Sequence, residues 1–214
     1  MSRPLGLAFF LQAVTSLASG AWLFNPFVDP GDIRNTMLNL ANHAAFVRAG
    51  IVGDILTALG IIFLAATLFA AVGRQNKAMA LVALGLYIFE AGILVVSKFV
   101  VFVLLNISQQ YAAAGAPTWE ALGSLALETA DFIYRVHIIP FGLGAAIFYY
   151  LLYKSRIVPK WLSLWGLTTV PFVLIGALWI TSGFYIPPVF LALSVFYVPF
   201  EFVAGIYIFC QRRS

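Results

Sequence analysis

Arg48, Asp54, Glu90, Lys98, Asp131, Arg135, His137 and Glu201 all stand inside or at the ends of long apolar stretches. An ionisable side chain in hydrocarbon costs several kcal/mol unless it finds a partner or a wet cavity. Such residues therefore either hold a site or pin helices in register. Glu90 lies nearest the centre of its stretch, and a carboxyl there can carry a proton or act as an acid or base. His137 is its natural partner in any proton transfer, and Tyr87 lies one helical turn before Glu90.

Spacing groups these side chains. At about 100° per residue, Glu128, Asp131 and Arg135 fall along one helix face, and Tyr87, Glu90 and Ser97 share another. Arg48 and Asp54 are about 9 Å apart along an axis and roughly 120° apart around it, so each is expected to pair across helices. The result is a polar pocket in one half of the bilayer, walled by the second, third and fourth spans and floored by Glu90. Arg48 and Lys98 carry less weight, since long side chains near a span end often extend to the interface.

Several chemistries are excluded. Cys210 is the single cysteine, so no internal disulfide and no multi-cysteine metal site can form. His43 precedes its span whereas His137 lies about 10 Å into its own, which argues against a haem held by both. A His137 site completed by Glu90, Asp131 or Glu201 stays open, and no cofactor is identified. There is no H-E-x-x-H, P-loop or G-x-S-x-G pattern. The net charge of +4 has no basic stripe of the kind that tracks phosphates, so nucleic acid is not an expected partner.

Six helices must position these groups. The chain has 214 residues, 63% of them hydrophobic and 9% charged, with a mean hydropathy of +0.99. Soluble domains carry about 25% charged residues, so much of this surface must face lipid. Spanning a bilayer takes roughly 20 apolar residues. The stretches 5–24, 46–72, 78–105, 130–153, 161–181 and 188–209 qualify. They predict an all-α polytopic transmembrane bundle forming a single domain over residues 1–214, with kinks at Pro140, Pro171 and Pro199.

Two longer linkers remain. Residues 25–45 open on turn signals and then place Ile33, Met37 and Leu40 at helical spacing, predicting an interfacial helix at about 32–44. Residues 106–129 contain an Ala-Gly-Ala-Pro break, after which Thr118 is a candidate N-cap without the reciprocal acidic partner. The first span exceeds the core length of a typical signal peptide and is read as retained. No internal repeat is evident.

Basic residues set the orientation. Arg3, Arg74, Lys77, Lys154, Arg156, Lys160, Arg212 and Arg213 share one side if six spans alternate, while Asp29, Asp32, Arg34 and Glu120 occupy the other. Both termini are accordingly expected in the cytoplasm, with the polar pocket opening outward from the inner membrane. Membrane lipid is the expected environment, and nothing in the sequence sets an oligomeric state.

The segment Phe46-Val47-Arg48-Ala49-Gly50-Ile51-Val52-Gly53-Asp54 resembles the Phe-Arg-x-Gly and Asp segment of the bacterial membrane family named domain of unknown function 4386. Leu86 to Ala91, the His137 helix, Tyr149 to Leu162, and Glu201 followed by Gly205 continue the resemblance, which covers most of the chain. It implies a six-helix bacterial membrane protein with Arg48, Asp54, Glu90, His137 and Glu201 at marked positions. It implies no activity.

Three functions compete. The first is binding or transport of a small molecule through the pocket, although no inverted repeat or paired broken helices support a transporter. The second is an intramembrane enzyme on a lipid or isoprenoid-like substrate, with Glu90 or Asp131 as acid or base, although no nucleophile is evident. The third is an accessory or assembly subunit whose polar network is structural.

Overall fold

The computed structural model describes residues 2–210; Arg212 and Arg213, which enter the charge bias, lie outside them. The described residues form helices and turns without strands: α1 (Ser2–Ala21), α2 (Ile33–Asn42), α3 (Ala44–Val72), α4 (Lys77–Ala114), α5 (Pro117–Ser155), α6 (Lys160–Thr181), α7 (Pro188–Val195) and α8 (Tyr197–Cys210). A short 3-10 turn, Asn25–Phe27, follows α1. Six segments are long and apolar enough to cross a membrane, with α7 and α8 together making the sixth. This is a multi-span helical membrane protein.

The spans close into a ring. α1 packs on α3, α3 on α4, α4 on α5, α5 on α6, and α6 on α7 and α8; α8 then returns to α1. The closing seam is tight because Gly6 and Gly205 meet there. A Cβ added at Gly205 would come within 3.0 Å of the Phe10 backbone nitrogen, and one at Gly6 would collide with the backbone of Phe209. Small residues let two membrane helices approach to backbone contact, which supplies packing where lipid provides no hydrophobic drive.

Each helix presents an inner and an outer face. On α3, Val52, Leu56, Leu59 and Phe63 are exposed, as a lipid-facing stripe requires. The opposite stripe of Val47, Asp54, Ala58, Ile61, Ala65 and Leu68 is buried. Around the ring axis Phe9, Tyr87, Phe148, Tyr149 and Phe200 form the largest fully buried side chains.

The two long helices correct the sequence reading. Residues 106–129 were expected as a linker, yet α4 runs to Ala114 and α5 begins at Pro117. Only Gly115 and Ala116 separate them. Gly115 adopts φ 62°, the left-handed C-cap that glycine takes without steric penalty. Thr118 is not the N-cap: Ala116 occupies that position and Pro117 is the first helical residue, where its missing N–H leaves nothing unsatisfied. At 38 residues α4 is about 57 Å long against a hydrocarbon core of about 30 Å, so the α4–α5 hairpin projects beyond the membrane.

A helix, α2, forms within the stretch 32–44. Asp32 caps α2 by accepting from the Asn35 N–H at 3.0 Å, and Met37 and Leu40 are buried. α2 packs on the projecting part of α4, and Arg34 pairs with Glu120 of α5 at 2.7 Å. The prolines behave differently from one another. α5 and α6 continue through Pro140 and Pro171, whereas the last span divides at Phe196. Pro199 explains the division, because its ring clashes with the carbonyl of Val195, where α7 ends.

Candidate functional site

Two cavities lie among the spans. The larger, about 660 Å³, is a vestibule on the α2 side of the ring, lined by the Gly20–Pro30 connection and by α3, α4 and α5. Its polar wall carries Asp54, Lys98, Glu128, Asp131 and Arg135. The smaller, about 180 Å³, lies nearer the ring axis and receives residues from all six spans. Its polar wall holds Gln12, Thr57, Glu90, His137 and Glu201. Asp54 and Tyr134 line both cavities and stand between them.

The junction is strongly organised. Asp54 is buried, and Lys98 Nζ reaches its Oδ2 at 2.8 Å. Ser19 Oγ of α1 donates to the other carboxylate oxygen. The Lys98 ammonium also lies 4.9 Å from the centroid of the Tyr134 ring, within cation–π range. Three helices and one aromatic face thus hold a single ion pair, which makes the pairing across helices expected for Asp54 concrete. Asp131 and Arg135 pair with each other at 2.6 Å across one turn of α5, in a more open setting.

The inner chamber is organised in another way. Tyr197 donates to Glu201 Oε1 at 2.8 Å, and its hydroxyl lies 2.6 Å from that of Tyr149. A phenol has one proton, so Tyr197 spends it on Glu201 and Tyr149 must donate to Tyr197. Glu90 faces the same chamber with its Oε2 buried and without a hydrogen-bond partner. Gln12 Oε1 is buried and unpartnered as well. His137 Nδ1 bonds the Tyr134 carbonyl, which assigns the proton to Nδ1 and leaves Nε2 as an acceptor in the neutral ring. Glu90 and Glu201 line the same chamber, and neither has an ion-pair partner among the described residues.

The expected residues therefore separate. Asp54, Lys98, Asp131 and Arg135 gather in the vestibule, and Glu90, His137 and Glu201 gather in the chamber. Tyr87 is fully buried against Phe148 and Phe141 and lines neither cavity. Arg48 is exposed near the start of α3 and lines neither cavity. The single pocket walled by three spans becomes two compartments, with α1, α6 and α8 contributing walls that the spacing of charges did not reveal.

Gln12, Ser19, Tyr134 and Tyr197 were missed. Gln12 had a usable signal, being an amide in the middle of an apolar first span. Ser19, Tyr134 and Tyr197 had none, because serine and tyrosine are ordinary in membrane helices and only the fold shows what they face. No group of three His, Cys, Asp or Glu side chains converges to hold a metal ion among the described residues.

Residues 5–210 match the family described as Domain of unknown function (DUF4386). No curated protein and no solved structure matches the chain.

Proposed function

We propose that this chain, which belongs to the DUF4386 family, binds a small molecule in its inner chamber and admits it, for retention or transport, through the vestibule. The observation that carries this reading is the buried, unpartnered carboxyl oxygen of Glu90 in the wall of a chamber that shares Asp54 and Tyr134 with an outer cavity. Native structures leave few buried polar atoms unsatisfied, because each costs about 1–3 kcal/mol. Such an atom facing a cavity is readily explained by a guest that supplies the missing hydrogen bond.

Cytoplasmic termini in an inner membrane belong to the same reading. Arg74, Lys77, Lys154, Arg156 and Lys160 flank the turns at one end of the ring, and the acidic Asp29, Asp32 and Glu120 mark the other. The vestibule then opens away from the cytoplasm. A membrane-impermeant maleimide should label Cys210 in inverted vesicles and spare it in right-side-out ones; the reverse pattern would invert the topology.

Native mass spectrometry of the gently extracted protein tests the binding itself. Wild type should carry a discrete bound mass that Glu90→Gln loses. A wild type carrying only exchangeable lipid would sink the reading and favour a structural role for the polar groups. The satisfied relay Tyr149–Tyr197–Glu201 is the specific observation on the side of that structural role.

A further inference from the structure

We propose that the inner chamber recognises a small organic ammonium ion. This rests on the binding role given above and names the class of molecule that fits. The chamber's inward polar groups are a surplus of acceptors: Glu90 Oε2 and Gln12 Oε1, both buried and without a donor, and His137 Nε2. Glu201 lies in the same wall with only Oε1 shown accepting, from Tyr197. No lysine or arginine lines the space. Lys98, the nearest cation at the junction, is already committed to Asp54.

An ammonium group answers each feature. It carries three N–H donors and no acceptor, so it can satisfy Glu90, Gln12 and His137 without stranding a proton of its own. Its charge complements two carboxyls that share one cavity, and charge-assisted bonds to carboxylates are roughly twice as strong as neutral ones. Aromatic side chains complete the wall, with Tyr134, Phe141 and Tyr197 offering faces to a cation and to an attached hydrocarbon. A volume of about 180 Å³ holds the equivalent of roughly six waters, which sets the scale of the guest. An anion would meet two carboxyls with no lysine or arginine in the wall to offset them, and a neutral alcohol would satisfy one acceptor and leave the others unpaired.

The test uses the purified full chain in detergent, with propylammonium chloride, 1-propanol, sodium propionate and potassium chloride as probes at matched concentration. Propylammonium should raise the thermal midpoint of wild type in a saturable way, and the other three should not. Glu90→Gln and, separately, Glu201→Gln should each weaken the apparent affinity at least tenfold. The proposal is overturned if propanol or propionate stabilises as well as propylammonium, or if the ammonium response survives both substitutions unchanged. The probe comparison in wild type decides the matter even where a variant fails to fold. A neutral or anionic native mass lost in Glu90→Gln would overturn the ammonium assignment and keep the binding role. The absence of both a native mass and any probe response would overturn the two together.

Discussion

The vestibule and the inner chamber hold similar numbers of polar side chains but treat them oppositely. In the vestibule, carboxylates are answered from within the protein: Asp54 by Lys98 and Ser19, Asp131 by Arg135. In the chamber, Glu90 and Glu201 share a wall without a cation, and a carboxyl oxygen of Glu90 has no partner. An internally paired charge fixes the geometry of a wall, whereas an unanswered one is available to something that enters. On the binding role proposed above, the difference gives shape to one compartment and recognition to the other.

Breaking the junction should have the largest effect. Lys98→Met leaves Asp54 buried with its serine but without a cation, a loss of about 3–5 kcal/mol for a buried pair. It should appear as a marked fall in unfolding midpoint in detergent. Much of that loss should return in the double variant with Asp54→Asn, which removes the stranded charge. Failure of the second change to rescue the first would mean that Lys98 matters through packing and not through the pair.

Glu90→Gln should behave in the opposite sense. With no internal partner to lose, its stability in the absence of ligand should stay within about 1 kcal/mol of wild type. The same unfolding measurement checks it, and a fall as deep as that of Lys98→Met would erase the distinction between the two compartments. The smallest effect belongs to Arg135→Ala. That ion pair is roughly half exposed and spans one helical turn, so its removal should shift stability by about 0.5 kcal/mol or less. A larger loss would show that the vestibule wall is as tightly coupled as the junction.

Much of this was legible in the sequence for a simple reason: lipid forbids uncompensated charge and unpaired backbone. Six apolar stretches therefore announced six spans, and Asp54, Glu90 and Glu201 announced an interior. The α2 helix was legible from Ile33, Met37 and Leu40. What escaped detection depended on partners distant in the chain. Hydropathy falls where α4 and α5 leave the membrane, so residues 106–129 resembled a linker although all but Gly115 and Ala116 are helical and both helices pack on α2. The division of the polar residues into two compartments depends on α1 and α8, whose contributions besides Glu201, namely Gln12, Ser19 and Tyr197, carry no charge.

The glycine seam between α1 and α8 has a consequence in time. The wall joining Gly6 to Gly205 brings together the first and last spans of the described chain. While the ribosome makes the residues between Ala21 and Tyr197, on the order of ten to thirty-five seconds at about 5–20 residues per second, the ring is an open crescent. Gln12 and the carboxyl of Glu90 must wait beside lipid, water or the insertion machinery until α8 arrives. Assembly of the chamber thus waits for α8, and slowing delivery of that helix would prolong the interval in which its polar lining is unsheltered.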